Sequence, residues 1–367
     1  LGIKRELQEK MRRVREFLRE RNYDALLLSK QSNFAWFTGG GDSHVVIADS
    51  LGVASLVILP DKKYLLTDNI EAGRILEEEL SGQGYEVKIY NWHESKRKKE
   101  ILEELTGGMR VASDDGFPGT IKVEEEFAPY RWSLTPEEIR RYRWLGNRSG
   151  RALSKVAYHL RPGLTEQQIA GRLSAELMHY GIVPVVLLIA ADDRIAKYRH
   201  PIPTDRRVQK YVMLVVGGRK WGLIVSLTRL VHFGGLSSEL RRRHHAVVKV
   251  DATFIAHSRP GTRMTDIFAR VQRVYAETGF PDEWRLHHQG GPTGYEARDY
   301  KCVPGHPGVV VKNQALAWNP SITGTKSEDT IVAFSEGPEI ITLTPDWPTI
   351  AIEMEGVTIE RPDIFVR

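Results

Sequence analysis

Val225-Ser226-Leu227-Thr228-Arg229 reads as a strand with its hydroxyls on one face, because side chains two apart along a strand point the same way. Four further segments in the same half of the chain set polar groups among apolar or glycine-rich neighbours. They are Tyr198-Arg199-His200-Pro201-Ile202-Pro203-Thr204, His287-His288-Gln289-Gly290-Gly291, Trp318-Asn319-Pro320 and Lys326-Ser327-Glu328-Asp329-Thr330. Glycines at 290, 291 and 294 suit a backbone that approaches a ligand closely, and they suit a tight structural turn equally well. Trp318 reads as pocket or as core, whereas Asn319 beside it offers a hydrogen-bonding amide.

An internal duplication surrounds these segments. Arg161-Pro162-Gly163 leads into a helical pattern ending at Gly181, and Arg259-Pro260-Gly261 leads into one ending at Gly279, with equal spacing in the two copies. Two copies make a doubled α/β unit rather than a solenoid. Upstream, Thr135-Pro136-Glu137-Glu138 marks a helix start: threonine caps, proline fits the first turn, and Glu138 closes a capping box. The helix is expected to run to about His159, which sets the domains at residues 1–133 and 134–367. In the first domain Leu7, Met11, Val14, Phe17 and Leu18 recur at helical spacing over residues 4–21. Strand-like runs at 25–28, 45–48, 53–59, 64–67, 87–90 and 111–113, with helical patterns at 71–80 and 100–105, predict a compact α/β domain.

Composition narrows the function classes. At 367 residues the chain has room for two cores, and 41% hydrophobic with 27% charged residues is the balance of a soluble globular protein. No apolar run approaches the ~20 residues of a membrane span and no signal-peptide core is present, so a cytoplasmic protein without a membrane partner is expected. The single Cys302 excludes an intrachain disulfide and a thiolate metal cage. Basic runs at Lys96-Arg97-Lys98-Lys99 and Arg241-Arg242-Arg243-His244-His245 read as solvated helix faces, so nucleic acid is not an expected partner.

The order and spacing of the five segments resemble the pita-bread superfamily of prolidase, aminopeptidase P, methionine aminopeptidase and creatinase. Residues 1–130 also resemble the N-terminal domain of creatinase and prolidase. The resemblance implies an α/β (α+β) fold, in which a creatinase-like α/β domain precedes a pseudo-twofold pita-bread domain. It also implies a homodimer in which Trp36, Phe37, Asp42 or His44 reaches the partner's pocket, although Trp36 reads better as packing before the helix stop at Gly39. In metal-dependent members two Asp, one His and two Glu hold a pair of divalent ions that activate water. Those positions fall here on Val215, Ser226, Gly291, Asn319 and Glu328. One carboxylate does not hold two cations against water, so no metal and no cofactor is expected. A mononuclear site rebuilt from His200, His232, His287 and His288 is the alternative, but adjacent histidines of an extended segment point to opposite faces, so His287 and His288 are not expected to share an ion.

Similarity to creatinase, the metal-free member, implies roles for several of these groups. His200 becomes the general acid and base, Glu328 its partner carboxylate, and Arg298 the anchor for a substrate carboxylate. Asn319, Ser226, Thr228 and His288 complete the expected substrate contacts. The structural readings beside these are a loop-bound His200, a Glu328 paired with Lys326 or Arg229, and an Arg298 paired with Asp299 or Glu296. Thr228 stands where creatinase has a second glutamate, so creatine is not the expected substrate. The leading expectation is a metal-independent hydrolase or lyase acting on a small polar C–N compound or short peptide. The alternatives are an inactive peptide- or partner-binding protein and an Xaa-Pro metallopeptidase.

Overall fold

The computed structural model describes residues 2–94 and 96–367, which divide into two compact units. The first holds residues up to Arg131 together with Thr135–Glu138 and Trp221–Leu223. Its sheet is built from β1 (Ala25–Lys30), β2 (Leu51–Ile58), β3 (Lys63–Asp68), β4 (Glu86–Tyr90), β5 (Val111–Ser113) and β6 (Ile121–Lys122), in the order β4-β3-β2-β1-β5-β6. The helix Gly2–Arg21 buries Val14, Phe17 and Leu18, the stripe its spacing predicts. A second helix, Gln31–Thr38, stops at Gly39, whose φ of 77° supplies the left-handed cap. Trp36 and Phe37 lie inside this unit, at 0% and 3% exposure, so they cannot line a partner's pocket and the packing reading holds for Trp36.

Residues 45–48 do not form the expected strand. Both sides of β2 are taken, by β1 and β3, and the 45–48 run bends over without a partner, leaving Val45, Val46 and Ile47 exposed. β propensity needs a neighbour to act on, and none is offered.

The second unit repeats one plan twice. The helix Pro136–Tyr158 begins with the anticipated capping box, Thr135 N donating to Glu138 Oε2 at 2.7 Å and Glu138 N to Thr135 Oγ1 at 3.3 Å. The helix Glu166–Met178 follows, then β7 (Val183–Ala191), β8 (Tyr211–Lys220) and β9 (Leu223–His232). In the second copy the helices Ser238–His257 and Met264–Glu277 precede β10 (Gly290–Thr293), β11 (Gln314–Trp318), β12 (Ser321–Ile322), β13 (Thr325–Lys326), β14 (Asp329–Phe334) and β15 (Gly337–Ile340). A hairpin of β16 (Thr349–Met354) and β17 (Val357–Pro362) follows, and β18 (Phe365–Val366) closes the first copy's sheet in the order β18-β9-β8-β7. The other sheet runs β10-β11-β14-β15. The doubled glycines do the same job in both copies. Gly163 N donates to Val208 O at 2.9 Å and Gly261 N to Val310 O at 2.8 Å, at φ of 90° and 89°. The two sheets meet where Thr228 of β9 bridges Glu328, just before β14.

Candidate active site

Glu328 lies at that junction, 3% exposed. Thr228 N donates to its carbonyl at 3.1 Å, and Thr228 Oγ1 to its Oε2 at 2.6 Å. Lys326 Nζ reaches the same oxygen at 2.8 Å, and Arg298 Nη2 approaches Oε1 at 3.4 Å. Burial alone would raise the Glu328 pKa; the charges of Lys326 and Arg298 outweigh it and hold the group below its ordinary value. The residues on either side are clamped. Ser327 Oγ donates to Asp251 at 2.5 Å, and Asp329 is held by Arg229 at 2.9 Å and Arg361 at 2.6 Å. A buried hydrogen bond thus fixes Ser327 and buried ion pairs fix Asp329, which holds the backbone on both sides of Glu328. Ser226, two residues before Thr228 and on the same strand face, lies 3.5 Å from Arg298 Nη1. Arg298 Nε is buried without a partner among the described residues, as is Asn319 Oδ1.

Above this carboxylate sit three imidazoles. Arg199 bonds Glu283 at 2.8 Å and Thr323 Oγ1 at 2.9 Å, which pins the His200 loop against the short turn Glu283–Leu286 that precedes His287. Thr204, at the other end of the loop, is bonded through N and Oγ1 to the buried Glu166, at 2.8 and 2.7 Å. His200 Nε2 and His287 Nε2 come within 3.0 Å. A hydrogen bond between two such nitrogens needs a lone pair on one of them, so the rings are not both protonated. His288 completes the group, with its ring centre 4.4 Å from that of His287 and 5.8 Å from that of His200. Burial is the main influence on all three, pushing His200 below its ordinary pKa, His287 to about 2 and His288 to about 4. Lys326 adds to the depression of His287, and Arg298 to that of His288. All three are neutral bases at pH 7.

This geometry corrects two expectations. His200 pairs with His287, not with Glu328, whose oxygens are taken by Lys326, Thr228 and Arg298. The rings of His287 and His288 do not diverge; they stack at 28°. Strand alternation fails here because His287 leaves a 3₁₀ turn and β10 does not begin until Gly290. His232 stays outside the cluster, its Nδ1 bonded to Gly234 O at 2.9 Å. Trp318 belongs to the core: it stacks on Phe254 at 4.3 Å and donates to Ser258. Arg229 pairs with Asp329 and not with Glu328. The expected pairing of Glu328 with Lys326 holds, and Arg298 pairs with Glu328 as well.

Residues 140–360 match metallopeptidase family M24, and residues 10–130 match the creatinase/prolidase N-terminal domain. The chain belongs to metallopeptidase family M24. Over 250 residues it is 24% identical to an uncharacterized peptidase of Staphylococcus aureus (strain MW2), covering 65% of this chain and 69% of that one. The Xaa-Pro dipeptidase from Bacillus anthracis has the same fold, with a TM-score of 0.78, 17% identity, and coverage of 98% of this chain and 100% of that chain. The prolidase from Pyrococcus horikoshii OT3 superimposes with a TM-score of 0.77 at 18% identity, covering 92% and 98%.

The five positions onto which the resemblance maps the metal ligands offer one carboxylate between them, which does not fit a pair of divalent ions. Val215 is buried in β8 and has no donor atom. A Cβ on Gly291 would lie 2.5 Å from Tyr300 O, so this backbone has no room for a histidine side chain there. Ser226 and Asn319 are neutral. The Glu328 carboxylate already holds the Lys326 ammonium at 2.8 Å. The basic runs are also spent locally: Arg97 on Glu100 and Glu104, Arg242 and Arg243 on Glu239, while His244 is buried. Among the described residues no helix is long and apolar enough to cross a membrane.

Proposed function

We propose that this M24 chain hydrolyses a C–N bond in a short peptide or small amide bearing a free carboxylate, with water activated at the imidazoles around His200 and not by the family's dinuclear centre. The observation that carries the reading is the charge balance of the pocket. Among the described residues Arg298 and Lys326 both pair with Glu328, so these three groups together carry one positive charge in excess. A substrate carboxylate neutralises it, and the unpartnered Arg298 Nε is a ready donor for it. Asn319 Oδ1 is a ready acceptor for a substrate N–H. Ser226 and Thr228 shape the floor, and His288 the wall.

Membership of M24 and the peptidase names of the relatives support C–N hydrolysis and a peptide-like substrate. A narrow cavity lined among others by Tyr198, Arg199, His287, Ser321 and Lys326 reaches the imidazoles. The test is a hydrolysis screen of dipeptides, Xaa-Pro dipeptides included, and N-carbamoyl and amidino amino acids, each beside its C-terminal amide. Turnover of a free acid that its amide abolishes is expected, as is loss of turnover in His200→Ala. Binding of free acids without turnover of any would instead make the chain a binding module.

A further inference from the structure

We infer that His200, His287 and His288 form a mononuclear site for a transition-metal ion with high imidazole affinity, zinc(II) foremost, apart from the five positions of the M24 ligand set. One ring nitrogen from each histidine lies within 4.8 Å of the other two. The 3.0 Å between His200 Nε2 and His287 Nε2 is close to the ~3.3 Å between two nitrogens that share a tetrahedral zinc at ~2.0–2.1 Å. Their rings cross at 68°, and the proton that the two Nε2 atoms share has to leave before both lone pairs take an ion. His288 is stacked on His287 and needs a rotation of its ring to aim at the same point; its Nδ1 is buried and bonded to nothing among the described residues. Two ligand nitrogens are therefore already at a spacing that an ion bridges, and the third is nearby.

The donors choose the ion. Three imidazoles without carboxylate or thiolate suit zinc, copper, nickel and cobalt, and are poor hosts for magnesium, calcium or manganese. The charges of Lys326 and Arg298 nearby disfavour a bare dication and favour an anion in the fourth position, hydroxide or a substrate carboxylate. Three protein ligands with one open position is the pattern of a catalytic zinc, which lowers the pKa of bound water and polarises a carbonyl. The inference deepens the proposed function, resting on it only for the place where water is activated.

Untagged protein purified without chelator, then incubated with zinc or cobalt chloride and desalted, is assayed by plasma mass spectrometry, and the cobalt form by visible absorption. About one equivalent per chain is expected, with the ligand-field bands of four-coordinate cobalt. His287→Ala and His288→Ala are expected to lose at least tenfold of the bound metal, and His287→Asn serves where the alanine variant misfolds by circular dichroism. Glu328→Gln and Asn319→Ala are expected to keep it. Less than ~0.1 equivalent in every form overturns the site, as do two equivalents, or metal lost with Glu328→Gln but kept in the histidine variants. Bound metal without turnover of any carboxylate substrate leaves the site standing and removes the proposed reaction. Turnover by metal-free protein keeps the reaction, removes the ion and leaves His200 itself as the base.

Discussion

Replacing Gly291 with alanine puts a methyl group where the fold has no space. The new Cβ would lie 2.5 Å from Tyr300 O and 3.1 Å from Cys302 N, both backbone atoms, at a φ of +152°. Neither obstacle is free to swing away. Cys302 N is bonded to Gly290 O at 2.9 Å, Asp299 N to Pro292 O at 2.9 Å, and β10 is paired with β11 through Gly291 and Ala317. Gly294, three residues on, is a built-in control: its φ is +150°, but nothing lies within 4 Å of its Cβ position. The backbone conformation costs about 1–3 kcal/mol at either site. Overpacking adds about 1–3 kcal/mol at Gly291 alone. In thermal unfolding Gly291→Ala is expected to lie below Gly294→Ala by that second amount, roughly 2–12 °C in Tm for a unit of this size. Equal stability of the two variants would refute the steric reasoning, and with it the claim that this backbone excludes a histidine at 291.

Lys326→Met leaves Glu328 buried with one counter-charge fewer and is expected to cost about 3 kcal/mol; adding Glu328→Gln should recover part of that, as read from a double-mutant cycle. Arg298→Lys keeps the charge but loses the planar donor fork, and is expected to raise KM for a free-acid substrate roughly 10–100-fold with kcat little changed. Asp114 in the first unit is pushed up to about 6, chiefly by burial, against bonds from Ser29 N, Asn33 and Lys30 N. Because its folded value lies above the unfolded one, its contribution is fully present below about pH 4 and lost as pH rises through about 6, an effect of about 3 kcal/mol in all and roughly half of that between pH 5 and 7.5. Relative to Asp114→Asn, the wild type should therefore gain stability between about pH 7.5 and 5, and parallel melting curves across that window would contradict the assignment.

The sequence is legible where local chemistry and global fold ask for the same residue. Thr135 and Glu138 cap a helix whatever it packs against, and the glycines of the doubled Arg-Pro-Gly motif need a left-handed backbone in both copies. It is less legible where a neighbour decides. Residues 45–48 have strand chemistry but no free sheet edge beside them. The facing of His287 and His288 depends on a 3₁₀ turn whose length periodicity does not reveal. The partner of His200 lies on another copy of the repeat, pinned by Arg199 and Glu283, so the sequence offers His287 only as one of several histidines and spacing does not single it out.

Arg361 has a consequence in time as well as in space. It neutralises Asp251 and Asp329, both fully buried, at 2.6 Å each, and it follows every candidate site residue in the chain. During synthesis those two carboxylates emerge with only Arg229 to balance them, and the uncompensated one opposes burial until Arg361 is made. The segment bearing Glu328 thus takes its final form late, so a chain released early carries the active-site sequence without its arrangement.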